Sequence, residues 1–135
     1  MYKHILVPVL IGEGNEPHAA FDAAKLLADG GAEITVLHIM EAMPGFVNAY
    51  IEPEVMAQTK ADARAALARV AAELPGSTPV LIEGHAGRDI VDFAGKHGVD
   101  CIVIASHRPG LSNYLIGSTA DRVVRHAQCA VHVIR

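Results

Sequence analysis

The chain has 135 residues, 51% of them hydrophobic and 19% charged, which is enough to bury the core of one ordinary domain without disulfides or metals and excludes a disordered polymer. Aromatic residues make up 4% and there is no Trp, so that core is built from Ala, Val, Ile and Leu. Eleven Lys and Arg stand against fifteen Asp and Glu, for a formal charge of −4; without a block of like charge, the chain is a poor partner for nucleic acid or an anionic membrane.

The opening run MYKHILVPVL is short, reaches a Pro, and has neither the extended apolar centre nor the small-residue cleavage pattern of a signal peptide. No segment reaches the roughly 18 apolar residues of a membrane span. A soluble, cytoplasmic protein is expected. Cys101 and Cys129 fall in or beside core segments, outside any Cys-x-x-Cys or Cys/His pattern, and read as reduced, structural thiols.

Short runs rich in β-branched residues predict strands over residues 4–9, 33–39, 79–83, 101–106 and 130–134. The intervening apolar period is helical. The first helix is expected over 16–28, capped by Asn15, with Pro17 in its first turn and Gly30-Gly31 as its stop. A second, over 54–74, places Ala63, Ala66, Leu67, Val70 and Leu74 on one face, and Pro75-Gly76 ends it. A third, over 86–97, buries Ile90 and Ala94, and a fourth, over 118–127, buries Ala120, Val123, Val124 and Ala127. ILVPV and CIVIA are apolar at nearly every position, as in strands covered on both faces. The fold expected is a single-domain, three-layer α/β architecture: an open five-stranded parallel sheet of order 3-2-1-4-5 with four helices, Rossmann-like. Two long loops, 40–53 and 106–116, follow strands and fall on the carboxyl edge, where such folds bind ligands.

The richest segment is SHRPGLSNYLIGST, residues 106–119, which leads from a buried strand into a helix. Gly117 permits close backbone approach, Ser118 and Thr119 offer hydroxyls, and the first helical N–H groups lack intrahelical acceptors, a combination suited to phosphate. His107 and Arg108 add charge across the crevice. On local chemistry alone, Ser118 as a plain helix cap beside a solvated Arg108 explains the segment equally well.

With HILVPV at the start, Leu37-His38-Ile39 closing the second strand, and IVIASHRPGLSNYLIGSTADRVVRHAQCAVHVIR at the end, the chain resembles a universal stress protein. The Ser-His-Arg-Pro form resembles the ATP-binding bacterial F/G-like branch. The family's ATP loop reads Gly, two residues, Gly, nine residues, Gly, then Ser or Thr. This chain keeps its end, Gly117-Ser118, with Ala105 and Arg108 at the earlier glycine positions and a loop one residue shorter. Leu10 stands where the family commonly has an Asp that touches the nucleotide.

The resemblance implies an adenine nucleotide alpha hydrolase-like fold and a site in which Val9 and Leu10 flank the nucleoside. Ile39 would offer backbone groups to adenine, Ile104 and Ala105 would line the ribose, and Arg108, Gly117, Ser118 and Thr119 would hold phosphates. With Pro8, Ser106 and His107 these are the candidate nucleotide contacts. The implied ligand is ATP, or AMP or ADP, with magnesium bound only through its phosphates. The resemblance also implies a homodimer joined through the last strand, residues 130–134 (Ala130, Val131, His132, Val133, Ile134), which presents an edge with alternating valines.

Gly12-Glu13-Gly14-Asn15-Glu16-Pro17, with Glu41 at the end of the second strand, is a near miss to a dinucleotide fingerprint. Pro17 replaces the Gly needed for close helix–strand packing, so a loop leading into a helix is the better reading. Eight histidines form no pair at helical metal-ligand spacing. His38 and His132 are expected to satisfy core or interface hydrogen bonds from within strands. No Ser-His-Asp order, carboxylate pair or activated Cys marks a dedicated enzyme. Three functional classes remain open: a nucleotide-binding stress regulator, a slow ATPase or autokinase, and a nucleotide-free dimeric interaction protein.

Overall fold

Ile5, Leu6 and Val7 have no solvent exposure, which three consecutive strand residues attain only when both faces of their sheet are covered. They lie in β1 (Tyr2–Pro8), the centre of a five-stranded parallel sheet completed by β2 (Ala28–Glu41), β3 (Thr78–Gly84), β4 (Cys101–Ala105) and β5 (Ala130–Ile134) in the order β3-β2-β1-β4-β5. The computed structural model describes residues 1–12, 15–106 and 116–135.

Alternation along the strands sorts the core into two halves. Ile5, Val7, Val36 and Val103 face one side, where they meet Ala20, Phe21 and Ala24 of α1 (His18–Leu27) and Leu67 and Ala71 of α3 (Pro53–Ala72). Leu6, Leu37, Ile102 and Ile104 face the other, against Ile90 and Ala94 of α4 (Ala86–Lys96) and Ala120 and Val123 of α5 (Ser118–His126). The architecture is therefore the three-layer, Rossmann-like α/β fold expected. A fifth helix, α2 (Gly45–Asn48), sits in the segment read as loop 40–53; four residues are too few to carry a helical period.

Local expectations are corrected at three places. The first helix starts at His18 with Pro17 at its N-cap and no side-chain cap, because the Asn15 Nδ2 donates instead to the Ile11 carbonyl at 3.5 Å. The second strand starts at Ala28 rather than residue 33: pairing with β1 jumps from Tyr2–Ala28 to His4–Glu33, and this irregularity takes in the glycines, Gly31 with φ +81°. Val124 is 46% exposed, since the buried face of α5 runs through Ala120 and Val123 and the adjacent position turns outward.

At the amino edge, the Asp100 carboxylate accepts the backbone N–H groups of Lys3 at 2.9 Å and His4 at 3.0 Å, while the His4 carbonyl accepts the Asp100 N–H at 3.0 Å. The start of β1 is thereby latched to the start of β4. The buried His4 ring donates from Nδ1 to the His97 carbonyl, so its Nε2 accepts from the Thr35 hydroxyl, each at 3.0 Å. Burial pushes the Cys101 thiol up to about 11 and also raises that of Cys129, which leaves little thiolate at neutral pH.

Candidate functional site

The strand order reverses at β1, which has β2 on one side and β4 on the other. The helix that follows β1 packs on one face of the sheet and the helix that follows β4 on the opposite face, so the two exits diverge and leave a crevice at the carboxyl edge. A cavity of about 750 Å³ opens there. Pro8, Val9 and Leu10 line it from the end of β1, Ile39 from β2, Ile104, Ala105 and Ser106 from β4, and Gly117, Ser118 and Thr119 from the start of α5. Every candidate residue within the described chain thus borders one cavity; His107 and Arg108 lie outside the described residues.

Backbone bonds hold this wall in place. The Val9 N–H donates to the Leu37 carbonyl at 2.8 Å, and His38 Nδ1 donates to the Val9 carbonyl at 2.9 Å. His38 therefore satisfies a core hydrogen bond from within its strand, as expected, and His132 is exposed on the edge strand β5. On the other wall the Gly117 N–H donates to the Ser106 carbonyl, and the Ser106 N–H to that of Ile134 at 2.8 Å. Gly117 is the N-cap residue of α5, with φ −61° and ψ 152° and no side-chain cap. Ser118 is the first helical residue and does not cap the helix.

In parallel α/β units each strand exit leads to a helix N-terminus, so several such ends share one edge. Three meet at this cavity: α1 through Ala19 and Ala20, α4 through Ala86, and α5 through Ser118, Thr119 and Ala120. Their N-cap residues Pro17, His85 and Gly117 supply no side-chain cap, which leaves the positive ends of these helices to other acceptors. At α4 the acceptors come from carboxylates: Glu41 Oε1 takes the Ala86 N–H at 3.1 Å and Asp89 Oδ2 the His85 N–H at 2.7 Å. The bond from His85 holds the Asp89 carboxyl below its ordinary value of 3.8.

Glu41, Ala86 and Ile90 also line the cavity: in the sequence Glu41 stands out only as the acidic partner of the near-miss dinucleotide loop and Ile90 only as a core residue, and it is the parallel pairing of β2 with β3 that carries β2 on to Glu41, beside the start of α4. Gly12, first in the near-miss dinucleotide loop, borders a separate hollow with Arg69 and Glu73, and its φ of +120° is one that favours glycine. Glu13 and Gly14 lie outside the described residues. Among the described residues no three His, Cys, Asp or Glu side chains could together hold a metal ion, and no helix is long and apolar enough to cross a membrane.

Among known proteins the chain is 30% identical to Universal stress protein G of Shigella flexneri over 150 residues, covering 100% of both chains. In structure it is similar to universal stress protein UspA from Lactobacillus plantarum, with 28% identity, TM-score 0.71, and coverage of 99% of this chain and 98% of that one. The universal stress protein from Archaeoglobus fulgidus in complex with dAMP has a TM-score of 0.62 at 22% identity, with 99% and 98% covered. The Arabidopsis thaliana family protein with AMP bound has 0.62 at 18%, with 98% and 90% covered; likeness at that level establishes the shared fold. The model of the Universal stress protein family matches residues 1–135, and the chain belongs to that family.

Proposed function

We propose that the cavity binds an adenine nucleotide, ATP with magnesium or its AMP and ADP forms, and that the protein is a cytoplasmic nucleotide-binding stress regulator acting as a homodimer. The observation that carries this reading is the division of one 750 Å³ cavity between an apolar floor and a helix N-terminus. Leu37, Ile39, Ile90 and Ile104 offer a planar base the surface it loses to water on binding. The first N–H groups of α5, preceded by Gly117, which has no side chain to intrude, suit a phosphate. Leu10, 46% exposed at the exit of β1, brings no side-chain acceptor for a sugar hydroxyl, so side-chain recognition rests on the base and phosphate ends. Related structures carrying dAMP and AMP support the adenine nucleotide class. Magnesium would enter on the phosphates.

Dimerisation is proposed through β5, a sheet edge whose Ala130 and His132 are exposed. Nucleotide binding is tested by mass spectrometry of ligand released from freshly purified protein, followed by calorimetric titration with ATP and magnesium. Release of an adenine nucleotide and saturable binding are expected. Protein that carries none and gives no heat of binding at millimolar ATP overturns the reading.

A further inference from the structure

We infer that Glu41 discriminates among bases by accepting a hydrogen bond from an exocyclic amino group, an inference that rests on the nucleotide reading above. Side chains two apart on a strand share a face, which places Leu37, Ile39 and Glu41 in a row along β2. The first two belong to the apolar floor and Glu41 ends the row at the rim, with its side chain 63% exposed. The carboxylate is held on its α4 side: Oε1 accepts the Ala86 N–H at 3.1 Å, and Oε2 lies 3.4 Å from His85 Nδ1. An ionised carboxyl offers about four acceptor positions, so these contacts orient the group and leave acceptor capacity at the cavity. Its neighbours along the floor, Ile39 and Ile90, have no polar side-chain atom to compete for a donor.

The two rims of the cavity then differ in kind. At the β4–α5 rim the first N–H groups of α5 are donors at the positive end of a helix. At the β2–α4 rim Glu41 already fills the positive end of α4, so that rim repels an anion and attracts an N–H donor. A ligand matching both is a flat apolar ring with an amino group at one end and phosphate at the other, which is the chemistry of an amino-bearing purine nucleotide. Glu41 thus also sets the direction in which the nucleotide lies.

The test compares ATP with purine riboside triphosphate, which differs in lacking the amino group, by titration with magnesium into wild type, Glu41→Gln and Glu41→Ala. Wild type is expected to prefer ATP by about tenfold or more, as suits a hydrogen bond to a charged acceptor. The preference should fall to about threefold or less in Glu41→Gln and vanish in Glu41→Ala. A carboxylate that serves only to cap α4 would weaken both ligands alike and leave the ratio unchanged, which overturns the inference. Equal affinity of wild type for the two ligands overturns it as well, needs no variant, and leaves the nucleotide reading standing. Failure of wild type to bind either ligand overturns the nucleotide reading and this inference with it.

Discussion

His38 Nδ1 lies 2.9 Å from the carbonyl oxygen of Val9, so a side chain of β2 holds the backbone where β1 opens into the cavity. A carbonyl only accepts, which places the ring proton on Nδ1. His38→Ala leaves that carbonyl without its side-chain partner and is expected to cost about 1 kcal/mol in urea unfolding. The affinity for ATP should fall severalfold because Val9 and Leu10 lose their anchor. His38→Asn, whose amide can donate in the same direction, is expected to recover part of both losses.

Gly117→Val should abolish ATP binding in calorimetric titration while leaving the fold intact. Its φ of −61° is open to any residue, and its backbone N–H still reaches the Ser106 carbonyl, so circular dichroism and thermal unfolding should match wild type. The effect is therefore one of space at the phosphate end. Ser118→Ala removes a hydroxyl but keeps the helix N–H groups, and about 0.5–1.5 kcal/mol of binding should be lost. A folded Gly117→Val variant with wild-type affinity would place the phosphates elsewhere.

Much of this arrangement was legible in the sequence because strands covered on both faces write themselves as unbroken apolar runs. ILVPV and CIVIA identified the two central strands, and with them the point of reversal and the residues at their exits. What stayed hidden was set by longer-range contacts. Nothing local to Ala28 reveals that it pairs with Tyr2 across an irregular ladder, and the glycines that follow resemble a helix stop. Asn15 has the chemistry of a cap, but its amide is drawn to Ile11. Glu41 reads in the sequence only as the acidic partner of a near-miss dinucleotide loop, until the fold brings Ala86 to it.

The acid limb of the stability profile should carry the signature of Asp100. Burial alone would raise its carboxyl, but the N–H groups of Lys3 and His4 outweigh that and hold it below 3.8. A lowered folded value means that this contribution is whole above pH 3.8 and is lost as pH falls through the folded value. Unfolding titrations of Asp100→Asn and wild type should therefore differ at neutral pH, with wild type more stable, and converge in acid. A gap that persists unchanged below pH 3 would refute the assignment.

For the proposed dimer, Val131 and Val133 are poor positions to probe, since both pack against the inner core beside α4 and α5, and a charge there would attack the fold. The exposed His132 is the cleaner target. In an antiparallel pairing about a two-fold axis, His132→Asp sets like charges near each other and should shift the protein from dimer to monomer in light scattering, with unfolding temperature corrected for mass action. A dimer indifferent to this change would use another surface.

The hydrogen bond from Gly117 to Ser106 makes the site modular. It ties the N-cap residue of α5 to the first residue beyond β4, so the two described ends of the segment between them are clasped together. Lengthening or shortening such a span changes closure entropy only slowly, by about 0.6 kcal/mol for each doubling, and neither the sheet nor α5 has to move. Between ends fixed in this way, insertion, deletion and exchange of sequence leave the frame in place. Replacing it with a segment of another length should alter ligand preference without unmaking the floor, so new specificity can be grafted onto an unchanged frame.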